Sequence, residues 1–132
     1  MQKIFKKDAS QVTVSVVSVA AQDLRLGRRY NKPFDPILLK EKVRAMLSVC
    51  EEHNHDAVVL GAFGCGAYEH DPKKVAKVFQ ELLTQEFRVF RVAIFAILYK
   101  GSTYDEFARK FPNLRGNLKE ALVQVRAEYP TD

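Results

Sequence analysis

The sequence predicts an α/β domain built on a mainly parallel sheet with helices on both faces, a three-layer arrangement. Two features carry that prediction. Apolar runs that read as strands alternate with segments of helical periodicity, in the order strand, helix, strand, helix, strand. Alternation of this kind goes with parallel strands joined by right-handed crossovers. The helix-opening pair Asp-Pro also recurs, at Asp35-Pro36 and Asp71-Pro72, ahead of both internal helices.

Taken in order, Gln2 to Lys6 reads as an extra edge strand. Val12 to Ala20 has valine at most positions and no breaker, the pattern of a strand buried on both faces. A polar, basic connection follows. Asp35 can then accept first-turn amides, and Pro36 loses nothing at the first helical position. Leu39, Val43, Met46, Leu47 and Cys50 recur at three- and four-residue spacing and give this helix one apolar face, with Met46 and Cys50 as core filling. The polar run from Glu51 to Asp56 ends it, leaving Glu51 and Glu52 solvated. Ala57 to Leu60 reads as a short buried strand, and Val75, Phe79, Leu82, Leu83 and Glu86 mark one side of the second helix. Phe90 to Leu98 is a third, nearly unbroken apolar strand. Two helices close the chain. Thr103-Tyr-Asp-Glu106 fits a capping box ahead of Phe107 and Phe111, and Asn117-Leu-Lys-Glu120 leads into Leu118, Ala121, Leu122 and Val125.

Composition narrows the class. A chain of 132 residues, 47% hydrophobic, holds one core and one domain over residues 1–132, because a chain this size buries roughly 65–70% of its unfolded surface. That hydrophobic fraction excludes intrinsic disorder. The longest apolar run, Val92 to Tyr99, falls far short of the roughly 20 residues a membrane-spanning helix needs, so no membrane partner is expected. The first residues lack the apolar core of a signal peptide. Two cysteines, Cys50 and Cys65, make no disulfide framework, and the expectation is a cytoplasmic or nuclear protein. The net charge of +5 is localised: residues 1–34 hold seven basic side chains (Lys3, Lys6, Lys7, Arg25, Arg28, Arg29, Lys32) against Asp8 and Asp23, and the remainder is balanced. The Arg25–Arg29 cluster is either a phosphate-attracting patch or a solvated basic loop. It comes with no zinc finger or RNA-binding strand motif, so specific nucleic-acid binding is not expected.

The informative segment is Gly61-Ala-Phe-Gly-Cys-Gly-Ala-Tyr68, directly after a buried strand. Open α/β sheets bind ligands at the carboxyl ends of their strands, and glycine lets successive amides converge on a phosphate. The spacing Gly-x-x-Gly-x-Gly is neither a Walker loop nor the dinucleotide fingerprint. Glycine content alone leaves open a phosphate cradle or an ordinary strand-to-helix turn.

Gly61 to Tyr68, followed by a polar pair and Asp71-Pro72, resembles the microbial-type poly(ADP-ribose) glycohydrolase family, which has a macrodomain fold. Val16 to Arg25 (VVSVAAQDLR) looks like that family's preceding strand and loop, and Val92 to Ile97 like the strand after the glycine loop. The resemblance runs over about residues 3–111 and implies a macrodomain-like fold shortened at the N-terminus, matching the C-terminal half of the family pattern. It implies an ADP-ribose pocket in which the backbone of Gly61, Ala62, Phe63, Gly64, Cys65, Gly66 and Ala67 wraps the diphosphate. Tyr68 would pack near the distal ribose, and the turn Ala20-Ala21-Gln22-Asp23, with Ala21 and Asp23 as its binding residues, would line the same pocket. The implied partners are ADP-ribose or an ADP-ribosylated protein or polymer.

The family's catalytic segment, a glycine-rich run followed by a Gln-Glu-Glu-type acidic pair, is N-terminal to everything matched. These 132 residues contain no Gly-Gly pair, and no residue is assigned a catalytic role. Glycoside cleavage needs a positioned acid to protonate the leaving oxygen, so the resemblance supports binding better than catalysis. Glu69 and His70 flank the loop as substitute acids, with surface placement the expectation for both. Cys65 with His70 imitates a nucleophile and base, but a small buried thiol suits the crowded loop better. Cys50, His53, His55 and Cys65 lack a zinc spacing, and neither metal nor cofactor is expected. Three readings stand: an ADP-ribose-binding module, a glycohydrolase using a replacement acid or a partner chain, and a non-catalytic interaction module whose exposed strand edge is covered by the two C-terminal helices or pairs as a homodimer.

Overall fold

A computed structural model describes residues 13–26, 33–97 and 101–111. The elements run α1 (Pro36–Glu52), β1 (Ala57–Leu60), α2 (Pro72–Gln85), β2 (Val92–Phe95) and α3 (Ser102–Lys110). β1 and β2 pair in parallel, Ala57 opposite Val92 through Leu60 opposite Phe95, with α2 as the crossover. The Gln2–Lys6 strand and the helix from Asn117 lie outside the described residues.

Both Asp-Pro pairs open helices as expected. The Asp35 carboxylate accepts from the amides of Ile37 and Leu38 at 3.0 and 3.1 Å, and the Asp71 carboxylate accepts from Lys73 at 3.0 Å. α1 ends through a device the polar run concealed. Asn54 takes the left-handed conformation (φ 62°), His55 donates to the Cys50 carbonyl and Asn54 to that of Glu51. These two bonds form a Schellman closure, with asparagine in the position glycine usually fills.

The core lies between one face of the sheet and the helices. Leu39, Val43 and Leu47 of α1 meet Val75, Ala76, Phe79, Leu82 and Leu83 of α2, while Met46 and Cys50 pack at its margin. At its centre Phe95 stacks among Phe79 (5.2 Å, edge-on), Phe107 (5.0 Å) and Phe111 (4.9 Å). Such ring pairs add about 0.5–1.5 kcal/mol each beyond the area they bury.

Five expectations need correction. The third strand is shorter than the apolar run from Phe90 to Leu98: β2 spans Val92–Phe95, and Phe90, Arg91, Ala96 and Ile97 lie outside it because pairing with the four residues of β1 sets its length. Residues 13–20 form no strand, and Val14 and Val16 are 72% and 80% exposed. A valine run becomes a strand only where a neighbour supplies ladder hydrogen bonds, and among the described residues β1 and β2 pair with each other alone. β1 is half-buried rather than buried: Val58 and Leu60 face the core, while Val59 is 71% exposed. Glu86 does not belong to the buried side of α2. It is exposed at the helix end, where Arg44 of α1 donates to it through Nε at 2.9 Å and Nη2 at 2.8 Å. These bonds hold the Glu86 carboxyl below the usual carboxylate range. The capping box at Thr103 does not form either. α3 begins two residues earlier than that box requires, Gly101 is its N-cap, and Glu106 instead accepts from Arg109 one turn on at 2.7 Å.

Candidate functional site

The Gly61–Tyr68 loop leaves the end of β1 and folds as two consecutive turns. Cys65 donates to the Ala62 carbonyl at 3.0 Å, with Gly64 at φ 76° in the third position, where a type II turn requires positive φ. Glu69 then donates to the Gly66 carbonyl at 3.1 Å, itself at φ 61°. A side chain on Gly64 would meet His70 Cδ2 at 2.6 Å and Ala21 Cβ at 2.9 Å, so glycine is required there for space as well as for conformation.

Against this loop lies the segment after residue 18. Together they enclose an open cleft of about 360 Å³ lined by Val19, Ala20, Ala21, Phe63, Gly64, Gly66, Ala67 and Tyr68. That volume is at the lower end for a small-molecule site. The two walls are tied by Leu24, which donates to the Tyr68 carbonyl at 3.1 Å, and by His70, whose Nε2 is 2.7 Å from the Gln22 carbonyl oxygen. Four lining residues, Gly64, Gly66, Ala67 and Tyr68, have backbone amides that donate to no acceptor among the described residues. Amides left over in a concave turn are what an anion takes up.

Positive charge borders the cleft. The Arg25 guanidinium sits 5.3 Å from the centre of the Tyr68 ring, within cation–π range, and is held by Asp23 through Nε at 2.9 Å and Nη2 at 2.7 Å. The hydrogen bond to Asp23 raises the pKa of Arg25 further above its ordinary value. Lys42 donates to the Ala20 carbonyl at 2.6 Å.

Of the ten residues singled out from sequence, Ala21, Phe63, Gly64, Gly66, Ala67 and Tyr68 line the cleft. Gly61 is exposed at the strand end, Ala62 and Cys65 lean on the core, and Asp23 serves the Arg25 pair. The turn from Ala20 brings Ala20 and Ala21 to the lining; sequence reasoning missed Val19, since a strand buried on both faces has no pocket side, and it missed Arg25 as the partner of Tyr68. It also put His70 on the surface. The side chain is 3% exposed because the turn at Gly64 leaves a ring-sized space that the imidazole fills. Glu69 is exposed, as expected.

Cys65 is not arranged as a nucleophile. Its Sγ is 3.7 Å from the Phe63 carbonyl oxygen, and burial, with a smaller contribution from the Asp71 charge, pushes the thiol up to about 11. The thiolate is therefore scarce at neutral pH. Alkylation of Cys65 by iodoacetamide at pH 7.5, followed by peptide mass spectrometry, is expected to run on the order of a hundredfold slower than that of a free cysteine of ordinary pKa. The rate should climb only as the pH approaches 11. Rapid labelling at neutral pH would contradict this placement. The described residues contain no cluster of three or more His, Cys, Asp or Glu able to hold a metal ion, and no helix long and apolar enough to cross a membrane.

The fold finds its counterparts among solved structures. Poly(ADP-ribose) glycohydrolase from Deinococcus radiodurans in complex with ADP-ribose matches 60% of this chain at 35% identity with a TM-score of 0.57. This chain is structurally related to the bacterial poly(ADP-ribose) glycohydrolases. The ligand-free form of the Deinococcus glycohydrolase matches the same 60% at 35% identity and a TM-score of 0.55, covering 35% of its own length. The glycohydrolase from Thermomonospora curvata matches 58% at 30% identity and 0.54, covering 30% of its length. The parallel α/β arrangement agrees with the macrodomain-like architecture that the resemblance implies. The chain spans about a third of the length of these glycohydrolases, 34% of the ADP-ribose complex. No protein-family model matches the chain, and no curated protein matches it.

Proposed function

We propose that the cleft binds ADP-ribose, free or as the ADP-ribosyl end of a modified protein or polymer. The observation that carries this reading is the set of four unengaged amides at Gly64, Gly66, Ala67 and Tyr68, gathered on one wall of a cleft bordered by Arg25 and Lys42. A diphosphate supplies the acceptors those amides need, and Tyr68 offers a ring face and a hydroxyl to a ribose. The Deinococcus structure solved with ADP-ribose supports the choice of ligand. The setting we propose is the reducing cytoplasm or nucleus.

Binding without cleavage is the form of this proposal for these 132 residues. An acid for glycoside cleavage must be free to give its proton at the scissile bond. Asp23 is bound to Arg25, and Glu69 is exposed beside the cleft. Titration calorimetry with ADP-ribose should give saturable binding at one site per chain. Incubation with poly(ADP-ribose) should release no ADP-ribose. Absence of saturation at millimolar ligand removes the binding reading, and release of ADP-ribose removes its non-catalytic form.

One observation favours a second reading, a self-association surface. Val14 and Val16 are 72% and 80% exposed and Val59 is 71% exposed, and apolar strand-forming surface of this kind tends to be covered by pairing. Light scattering would report a dimer that Val14→Lys with Val16→Lys returns to monomer. A clean monomer at high concentration excludes it.

A further inference from the structure

Three parts of the chain converge on His70: the glycine loop, the segment of residues 19–25 and the start of α1. Its imidazole Nε2 is 2.7 Å from the carbonyl oxygen of Gln22, and its own amide donates to the Gly64 carbonyl at 3.0 Å. The ring presses on Gly64, where an added Cβ would stand 2.6 Å from Cδ2 and 2.9 Å from Cγ. Phe34 meets it edge-on at 5.9 Å. Gln22 extends the connection. Its side chain donates to the Pro33 carbonyl at 3.0 Å and accepts from the Asp35 amide at 3.2 Å, and Asp35 caps α1.

A carbonyl oxygen can only accept, so Nε2 must carry the proton. Nδ1 is buried with no hydrogen-bond partner. The contact with the Gln22 carbonyl is thus the hydrogen bond that orients the ring. The cleft walls, Val19–Ala21 on one side and Phe63–Tyr68 on the other, are thus bridged near one end by His70 and Gln22 and at the next residues by Leu24 and Tyr68.

We infer that His70 is a positioning residue for the cleft: by donating to the Gln22 carbonyl it sets the spacing between the wall that carries the free amides and the wall at Val19–Ala21. This rests on the reading of the cleft as an ADP-ribose site, but its geometric half can be tested without ligand. His70 touches none of the ligand in this account. It acts through Gln22 and Gly64.

Two variants separate donation from packing. His70→Gln keeps an N–H at about the reach of Nε2, while His70→Phe keeps the ring volume and loses the donor. The first readout is hydrogen exchange at the Leu24 amide, which reports the wall-to-wall bond to Tyr68. The second is the dissociation constant for ADP-ribose. His70→Phe is expected to speed Leu24 exchange at least tenfold and weaken ADP-ribose at least tenfold, with His70→Gln within about threefold of the unaltered protein in both. In the unaltered protein, nitrogen chemical shifts of the His70 ring should show a proton on Nε2. A proton on Nδ1 alone, unchanged Leu24 exchange in His70→Phe, or equal losses in both variants would overturn the inference. If the unaltered protein fails to bind ADP-ribose while Leu24 still responds to His70→Phe and recovers in His70→Gln, the ligand reading falls and the geometric role of His70 stands.

Discussion

Gly64→Ala is expected to abolish ADP-ribose binding in the micromolar-to-millimolar range and to lower folding stability by about 2–4 kcal/mol. Two independent costs add at this position. Gly64 sits at φ 76°, a left-handed conformation that disfavours any side chain with a Cβ. The new methyl would also stand 2.6 Å from His70 Cδ2 and 2.9 Å from Ala21 Cβ, too close for contact, so His70 or the Ala21 wall must move. Either movement changes the cleft, since Ala21 lines it and His70 is bonded to the opposite wall. Gly66→Ala provides the contrast. A Cβ there meets nothing within 4 Å, yet Gly66 lines the cleft. It should unfold like the unaltered protein in urea while binding ADP-ribose more weakly. Gly61→Ala, equally open and outside the lining, should change neither. Urea titrations and calorimetry on the three variants check the pattern, and equal behaviour of Gly64→Ala and Gly61→Ala would contradict it.

Phe79→Ala is expected to cost about 3–5 kcal/mol, a large share of the roughly 5–15 kcal/mol that holds a domain of this kind together. The side chain is fully buried and packs edge-on to Phe95 at 5.2 Å and against Phe107 at 6.2 Å. It therefore links the crossover helix to β2 and to α3. Truncation leaves a cavity at the meeting point of three elements, where the side chains held by α2, β2 and α3 can collapse only in part. Val59→Ala, on the exposed face of β1, should lie within about 0.5 kcal/mol of the unaltered protein. Equal urea midpoints for the two variants would show that the aromatic cluster is not the centre of the fold.

Local chemistry was legible in the sequence where it was self-contained. Asp35-Pro36 and Asp71-Pro72 fix helix starts within three residues of chain, so nothing distant can override them. The apolar spacing of Leu39, Val43 and Leu47 and of Val75, Phe79 and Leu82 likewise reports directly on burial. The glycine loop was found because its residue types restrict its backbone. What stayed hidden depends on partners far along the chain. Val12–Ala20 has the composition of a strand, but a strand needs a neighbour's hydrogen bonds, and its composition says nothing of whether one is present. Glu106 could close a capping box or bind Arg109, and only the start of α3 at Ser102 decides between them. The role of His70 rests on a contact with Gln22, 48 positions earlier. No local pattern announces such a contact.

The site itself divides in the same way. The loop residues and the turn from Ala20 to Asp23 could be named in advance, whereas the part of Val19 and the joining of the two walls follow from hydrogen bonds between Leu24 and Tyr68 and between Gln22 and His70. Arg25 illustrates the consequence. In sequence it belongs to a basic cluster that could serve any polyanion. In the fold it is bound to Asp23 and faces Tyr68, which makes it part of one cleft.

Titrating the isotope-labelled protein with ADP-ribose while following its backbone amide resonances reads the cleft residue by residue. The expected result is saturable shifts concentrated at Gly64, Gly66, Ala67 and Tyr68 and at Val19 to Ala21, with the exposed faces of α1 and α3 unchanged. Saturable shifts elsewhere, with those four amides silent, would contradict the assignment of the glycine loop as the diphosphate-binding wall.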